Sequence, residues 1–176
     1  MTGSGPRILV IGYGNPGRRD DGLGPALAAA LEVLALPGVT VDADYQLTVE
    51  HAAAVAQHDV VVFADAAVRG AEPFEFRALA PGEPATFSTH SVSPAGVLAL
   101  ARQCFQARTQ GYILALRGYE FNEFGEGLSP QAQTNLTAAL EFIQTVLRDR
   151  RVTEVAAQST ADAAPAAVAV GKGAMA

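Results

Sequence analysis

Four side chains in this sequence have the types and positions to do chemistry together. Asp20 and Asp21 follow the apolar run 7–12 (RILVIG), Asp65 closes the run 59–65 (DVVVFAD), and His90 lies in the small-hydroxyl loop 88–91 (STHS). Carboxylates with one imidazole make an incomplete oxygen and nitrogen set, suited to a divalent ion that keeps waters or takes further ligands from elsewhere. A carboxylate beside such an ion can also activate water, and Asp20, Asp21 and Asp65 are all candidates for that base. An Asp ending so apolar a run is costly to bury unpaired, which favours a working role; the plainer alternative is that Asp65 caps a turn. His51 and His58 flank a segment of helical composition and are read as solvated imidazoles. Nucleophilic catalysis has little support, because there is no GxSxG elbow. The one cysteine, Cys104, falls in an apolar stripe with Val97, Ala101 and Phe105, where a small buried hydrophobe is expected.

These groups can share one crevice only if the chain brings three loops to one edge. Residues 7–12 and 59–65 are short, nearly uncharged and β-branched, as strands buried on both faces are. Residues 39–44 and 112–116 also read as strands. Between them lie helix signals: Pro25 ahead of Leu27, Leu31 and Leu34; the Ala-rich segment 47–57; Ser93-Pro94; and Ser129-Pro130 ahead of Leu136, Leu140, Ile143 and Leu147. Phe74, Phe76 and Leu79 alternate with polar residues, the pattern of a half-exposed, antiparallel edge strand. The expected fold is therefore α/β: a three-layer α/β/α sandwich around a mostly parallel twisted sheet of about five strands. In that architecture working groups sit at the carboxyl ends of the strands.

Composition sets the frame for these groups. The chain has 176 residues, 49% of them hydrophobic and 17% charged, and a formal net charge of −6. That is apolar enough for a real core, and it predicts one domain over residues 1–151 with an Ala-rich flexible tail over 152–176. No basic stripe is present to neutralise phosphates, so nucleic acid is not an expected partner. Polar residues interrupt each apolar run before the roughly 18–20 residues of a spanning helix, so no membrane association is expected. Residues 1–6 lack the pattern of a signal peptide, and a lone cysteine suits a reducing compartment. A cytoplasmic location is expected.

One motif points elsewhere. Residues 12–17 spell GxGxxG directly after a strand, and Asp42 or Asp44 ends the next one, as in a dinucleotide-binding site. In such sites the glycines open a helix whose N-terminal amides hold a pyrophosphate. Here Pro16 interrupts the turn and residues 18–22 (RRDDG) prolong it, placing two carboxylates where a phosphate would lie. Dinucleotide binding is kept as the lesser alternative.

Four ordered segments resemble the maturation endopeptidases of nickel-iron hydrogenases. They are ILVIGYGNPGRRDDGLG (residues 8–24), FADAAV around Asp65, His90 followed by SVSPAGVLALA, and residues 118–130 ending in EGLSP. The resemblance spans residues 8 to about 147 and implies a protease that trims the C-terminal extension of the hydrogenase large-subunit precursor. It implies that Asp21, Asp65 and His90 bind nickel and that the substrate supplies this nickel. Glu is frequent in the family where this chain has Asp21. Residues 44–50 (DYQLTVE) depart from the Gly-containing segment of the branch serving membrane-bound enzymes and are more similar to the branch serving soluble, NAD-linked hydrogenases. A non-catalytic nickel-sensing chaperone of the same large subunit is the alternative within this reading. The protein is expected to act as a monomer.

Overall fold

The apolar runs form the centre of a five-stranded sheet. In the computed structural model, which describes residues 5–80, 83–88 and 90–162, β1 (Ile8–Tyr13), β3 (Val60–Ala67) and β5 (Gln110–Arg117) lie side by side. They are flanked by β2 (Val39–Asp44) and β4 (Phe74–Ala78), giving the order β2-β1-β3-β5-β4. All pairings are parallel except β4 on β5, so the edge strand expected to be antiparallel is so. After β1 the chain steps out to β2 and then returns past β1 to β3. That reversal leaves a crevice at the carboxyl ends of β1 and β3.

Side-chain alternation divides the core in two. Ile8, Val10, Val60 and Val62 face α1 (Leu23–Leu34) and α4 (Pro130–Arg148), packing on Leu27, Leu31, Leu136 and Ile143. Leu9, Ile11, Val61 and Phe63 face the opposite way, toward α2 (His51–Ala56) and α3 (Pro94–Phe105), and pack on Val55, Val97 and Leu98. These two faces make the three layers. Ser93 and Ser129 cap α3 and α4 as their positions before proline suggest, accepting from Gly96 N–H (3.1 Å) and Ala132 N–H (3.3 Å).

The N-terminus of α1 approaches the sheet as closely as backbone allows. A Cβ on Gly12 would overlap the Gly24 carbonyl, and one on Gly24 would overlap the Tyr13 carbonyl and come within 2.6 Å of the Ala64 oxygen. This contact fixes where the loop between β1 and α1 must pass.

The elements differ from expectation in three places. The helix expected over 47–57 is shortened to His51–Ala56, because Leu47 is drawn into the second core as part of a loop. Cys104 and Phe105 are exposed rather than buried, since six-residue α2 covers only part of twelve-residue α3. The segment expected to be a flexible tail begins instead as α5 (Val152–Asp162), held by burial of Val152 and Ala156 in the first core. The rest of that expected tail, 163–176, lies outside the described residues, as do positions 81, 82 and 89 of the expected loop.

Candidate functional site

Asp65 stands at the mouth of the crevice beside Tyr13. The β1–β3 register pairs Gly12 with Ala64, so the next position on each strand places Tyr13 next to Asp65 on the face of the second core. The Tyr13 phenol is turned to the Asp65 carboxylate as a hydrogen-bonding partner. Asp65 Oδ1 also accepts from the Ala66 N–H at 2.8 Å. Burial raises the Asp65 carboxyl to a pKa of about 6; the Ala66 bond opposes the rise, the Asp21 charge adds to it, and the Tyr13 bond opposes it. Burial, then the charge of Asp65, pushes the Tyr13 phenol well above its ordinary range, so it stays protonated.

Asp21 reaches the same crevice from the loop after β1. That loop turns at Gly14, whose φ of +142° places it where a Cβ would overlap the Asp21 carbonyl oxygen, so glycine is required. Asp21 then accepts from the Asn15 N–H at 2.8 Å, which fixes one of its oxygens and leaves it half-buried. Two carboxylates therefore approach closely enough for one to raise the pKa of the other.

Asp20 is turned the other way and is not available as a base. It is fully buried in a 3-10 turn (Arg19–Gly22) and accepts from the backbone N–H groups of Tyr119 (2.8 Å), Glu120 (2.9 Å) and Ser129 (2.7 Å), and from the Ser129 hydroxyl (2.7 Å). Three of these bonds fall on Oδ2 and one on Oδ1, so both oxygens are tied down. Burial pushes its pKa up, but the bonds from Glu120, Ser129 and Tyr119 outweigh that and hold it below the ordinary carboxylate range. Asp20 therefore ties the loop after β5 to the loop after β1.

The neighbouring arginines share in that tie. Arg19 adopts φ +51°, donates its N–H to Gly125 O (3.0 Å) and its Nη1 to Glu126 O (3.1 Å), and buries Nε without a partner. Arg18 lies over the exposed Phe124 ring, 5.6 Å from its centroid. Arg19 thereby supports the loop over residues 118–128.

His90 is not drawn into a ligand group with the two carboxylates. It is exposed near the tip of the turn closed by the Phe87–Val92 bridge, and that turn is anchored at the carboxyl edge by the Val92 N–H bond to Leu47 O (3.1 Å). Among the described residues no group of three or more His, Cys, Asp and Glu side chains is placed to hold a metal ion. The other histidines depart from expectation. His51 is buried, accepts the Thr48 N–H at Nδ1 (2.9 Å), and turns Nε2 toward Asp44 (3.7 Å) and Asp42 (3.8 Å). His58 is half-buried, bonded to Ala54 O (2.8 Å) and Thr40 Oγ1 (3.0 Å). Sequence reasoning missed Tyr13, although its place one residue past a buried strand, in register with Asp65, was a usable signal.

No protein-family model matches the chain, and no curated protein matches it by sequence. Solved structures match it by fold. The NiFe hydrogenase maturation protease HycI from Thermococcus kodakarensis KOD1 aligns over 83% of this chain and 95% of its own, with TM-score 0.64 and 24% identity. The hydrogenase maturating endopeptidase HybD from E. coli aligns over 82% and 94%, with TM-score 0.62 and 23% identity. A hydrogenase 2 maturation peptidase from Thaumarchaeota archaeon SCGC_AB-539-E09 aligns over 80% and 97%, with TM-score 0.59 and 20% identity. At these identities the likeness is one of architecture: the chain has the α/β fold of these hydrogenase maturation peptidases.

Proposed function

We propose that this protein is an endopeptidase that removes the C-terminal extension of a nickel-iron hydrogenase large-subunit precursor after nickel insertion. The observation that carries the reading is the placement of Asp21 after β1 and Asp65 at the end of β3, near enough to interact through their charges, on a fold like that of known hydrogenase maturation peptidases. Nickel enters as part of the substrate. Asp21 and Asp65 would offer it oxygen donors, and exposed His90 would add an imidazole. Thiolates of the substrate would complete the shell, since the protein's own Cys104 lies on the last turn of α3.

Within this reading Asp65 is the base. A carboxyl with a pKa of about 6 is nearly matched to neutral operating pH, so it is mostly ionised yet basic enough to take a proton from water. The water attacks the scissile carbonyl and the proton passes to Asp65, then to the leaving amine. Asp21 would keep the water and the metal on the crevice side. We take the working form to be a cytoplasmic monomer; no helix of the described residues is long and apolar enough to cross a membrane.

The alternative is a chaperone that uses the same three residues to sense nickel without cutting. Mass spectrometry of a nickel-loaded precursor before and after incubation separates the two. Loss of a C-terminal peptide with wild type, absent with Asp65→Ala and with His90→Ala, supports the endopeptidase; an intact C-terminus in a stable complex supports the chaperone. Normal trimming by both variants would sink the site assignment.

A further inference from the structure

The proposed hydrolysis leaves Tyr13 unused, although it is the side chain next to Asp65 in the sheet. We infer that Tyr13 is a positioning residue, its phenol holding the Asp65 carboxylate turned toward Asp21 across the crevice. This rests on the endopeptidase reading given above.

Three observations converge on it. First, the sheet sets the distance. Neighbouring strands lie about 4.8 Å apart, and the register that pairs Gly12 with Ala64 makes Tyr13 and Asp65 the next neighbours on one face. Second, Tyr13 has little freedom to do anything else. Its backbone is paired with Asp44 of β2, the closely packed Gly24 backs onto its main chain, and its ring packs half-buried against the second core. A phenol held among apolar side chains needs a polar partner for its hydroxyl, and Asp65 is that partner.

Third, the number of donors separates the carboxylates. Asp20 has four, three on Oδ2 and one on Oδ1. Asp65 has the Ala66 N–H, which fixes Oδ1 alone, and the Tyr13 phenol. One donor leaves a carboxylate free to swing about that bond; a second, from the neighbouring strand, stops it while leaving about two acceptor positions open for water or metal.

Tyr13→Phe keeps the ring in the second core and removes only the oxygen. In single-turnover trimming of a nickel-loaded large-subunit precursor, we expect its maximal rate to fall on the order of 10- to 100-fold, as a loosened catalytic group would cause. The half-saturating concentration and the melting temperature should stay close to wild type. A role confined to packing predicts the reverse: Phe behaves as wild type and only Tyr13→Leu fails. Introducing 4-aminophenylalanine at position 13, Tyr13→4-aminophenylalanine, restores ring and donor together and should recover most of the rate even if Phe folds less well. A Phe variant with wild-type maximal rate, or no recovery with the amino analogue, overturns the inference while leaving the endopeptidase reading intact. Failure of the wild-type protein to trim the precursor overturns that reading, and this inference with it.

Discussion

The Asp20 carboxylate is fully buried and accepts four hydrogen bonds, whereas Asp65 has two donors and a raised pKa, so substitution at the two should act in opposite directions. Asp20→Asn would set an amide NH2 against either the Ser129 N–H or the Tyr119 and Glu120 N–H groups, and remove the charge they bind. We expect a loss of about 2–4 kcal/mol in urea denaturation at pH 7. Because the folded pKa of Asp20 lies below the unfolded 3.8, its contribution is complete above that value. The gap between variant and wild type should therefore narrow only as pH falls below about 4. For Asp65 the sign reverses. A folded pKa of about 6 against 3.8 unfolded means that folding favours the neutral form, so ionisation opposes folding above pH 6. Metal-free Asp65→Asn should be more stable than wild type by about 1–3 kcal/mol at pH 8, with the advantage gone at pH 4. An equal difference at both pH values would remove the electrostatic explanation. The sequence lists Asp20, Asp21 and Asp65 as equivalent acids. Which one is tied down depends on N–H groups about a hundred residues away in the chain, and no local pattern encodes that.

Elements whose signals are local agree with the sequence, and those set by long-range packing do not. The β-branched run in β3 and the Ser-Pro caps of α3 and α4 carry their own instructions in propensity and capping chemistry. The shortening of α2, the burial of His51 and the formation of α5 depend on which surfaces happen to lie nearby. The glycines of residues 12–17 show the same division. A GxGxxG pattern read as a phosphate cradle gives all three glycines a role, but here they have unequal surroundings. Gly12 meets the Gly24 backbone, Gly14 needs positive φ, and the nearest atom to a Cβ on Gly17 is the Asn15 Oδ1 at 3.2 Å. Gly24→Ala should cost at least about 2 kcal/mol by forcing α1 off the sheet, and Gly17→Ala less than about 1 kcal/mol. Denaturant midpoints of the two variants check this. Comparable losses would mean that α1 can shift to make room.

The order β2-β1-β3-β5-β4 brings the carboxyl ends of β1 and β3 together, the place where open α/β sheets bind ligands. What occupies the crevice is decided by the loop that follows β1. In a nucleotide-binding chain that loop ends quickly in a helix and leaves amides free for phosphate. Here the loop runs on through residues 15–22, its 3-10 turn is clamped under the loop over 118–129 by Asp20, and Asp21 lies near enough to Asp65 for its charge to raise the Asp65 pKa. Asp42 and Asp44, the acids placed to bind a ribose, lie beside His51. A dianion entering this crevice would meet two carboxylates in a partly desolvated setting. We therefore expect millimolar NAD, NADP or FMN to leave the melting temperature unchanged. A site filled at a hundred times its dissociation constant would stabilise the protein by about 2.7 kcal/mol. For a chain of this size that is a rise of several degrees, well within the reach of a thermal melt. A rise of that size with NAD or NADP would show that the clamped loop yields to phosphate, and would return the GxGxxG motif to the role its spelling suggests.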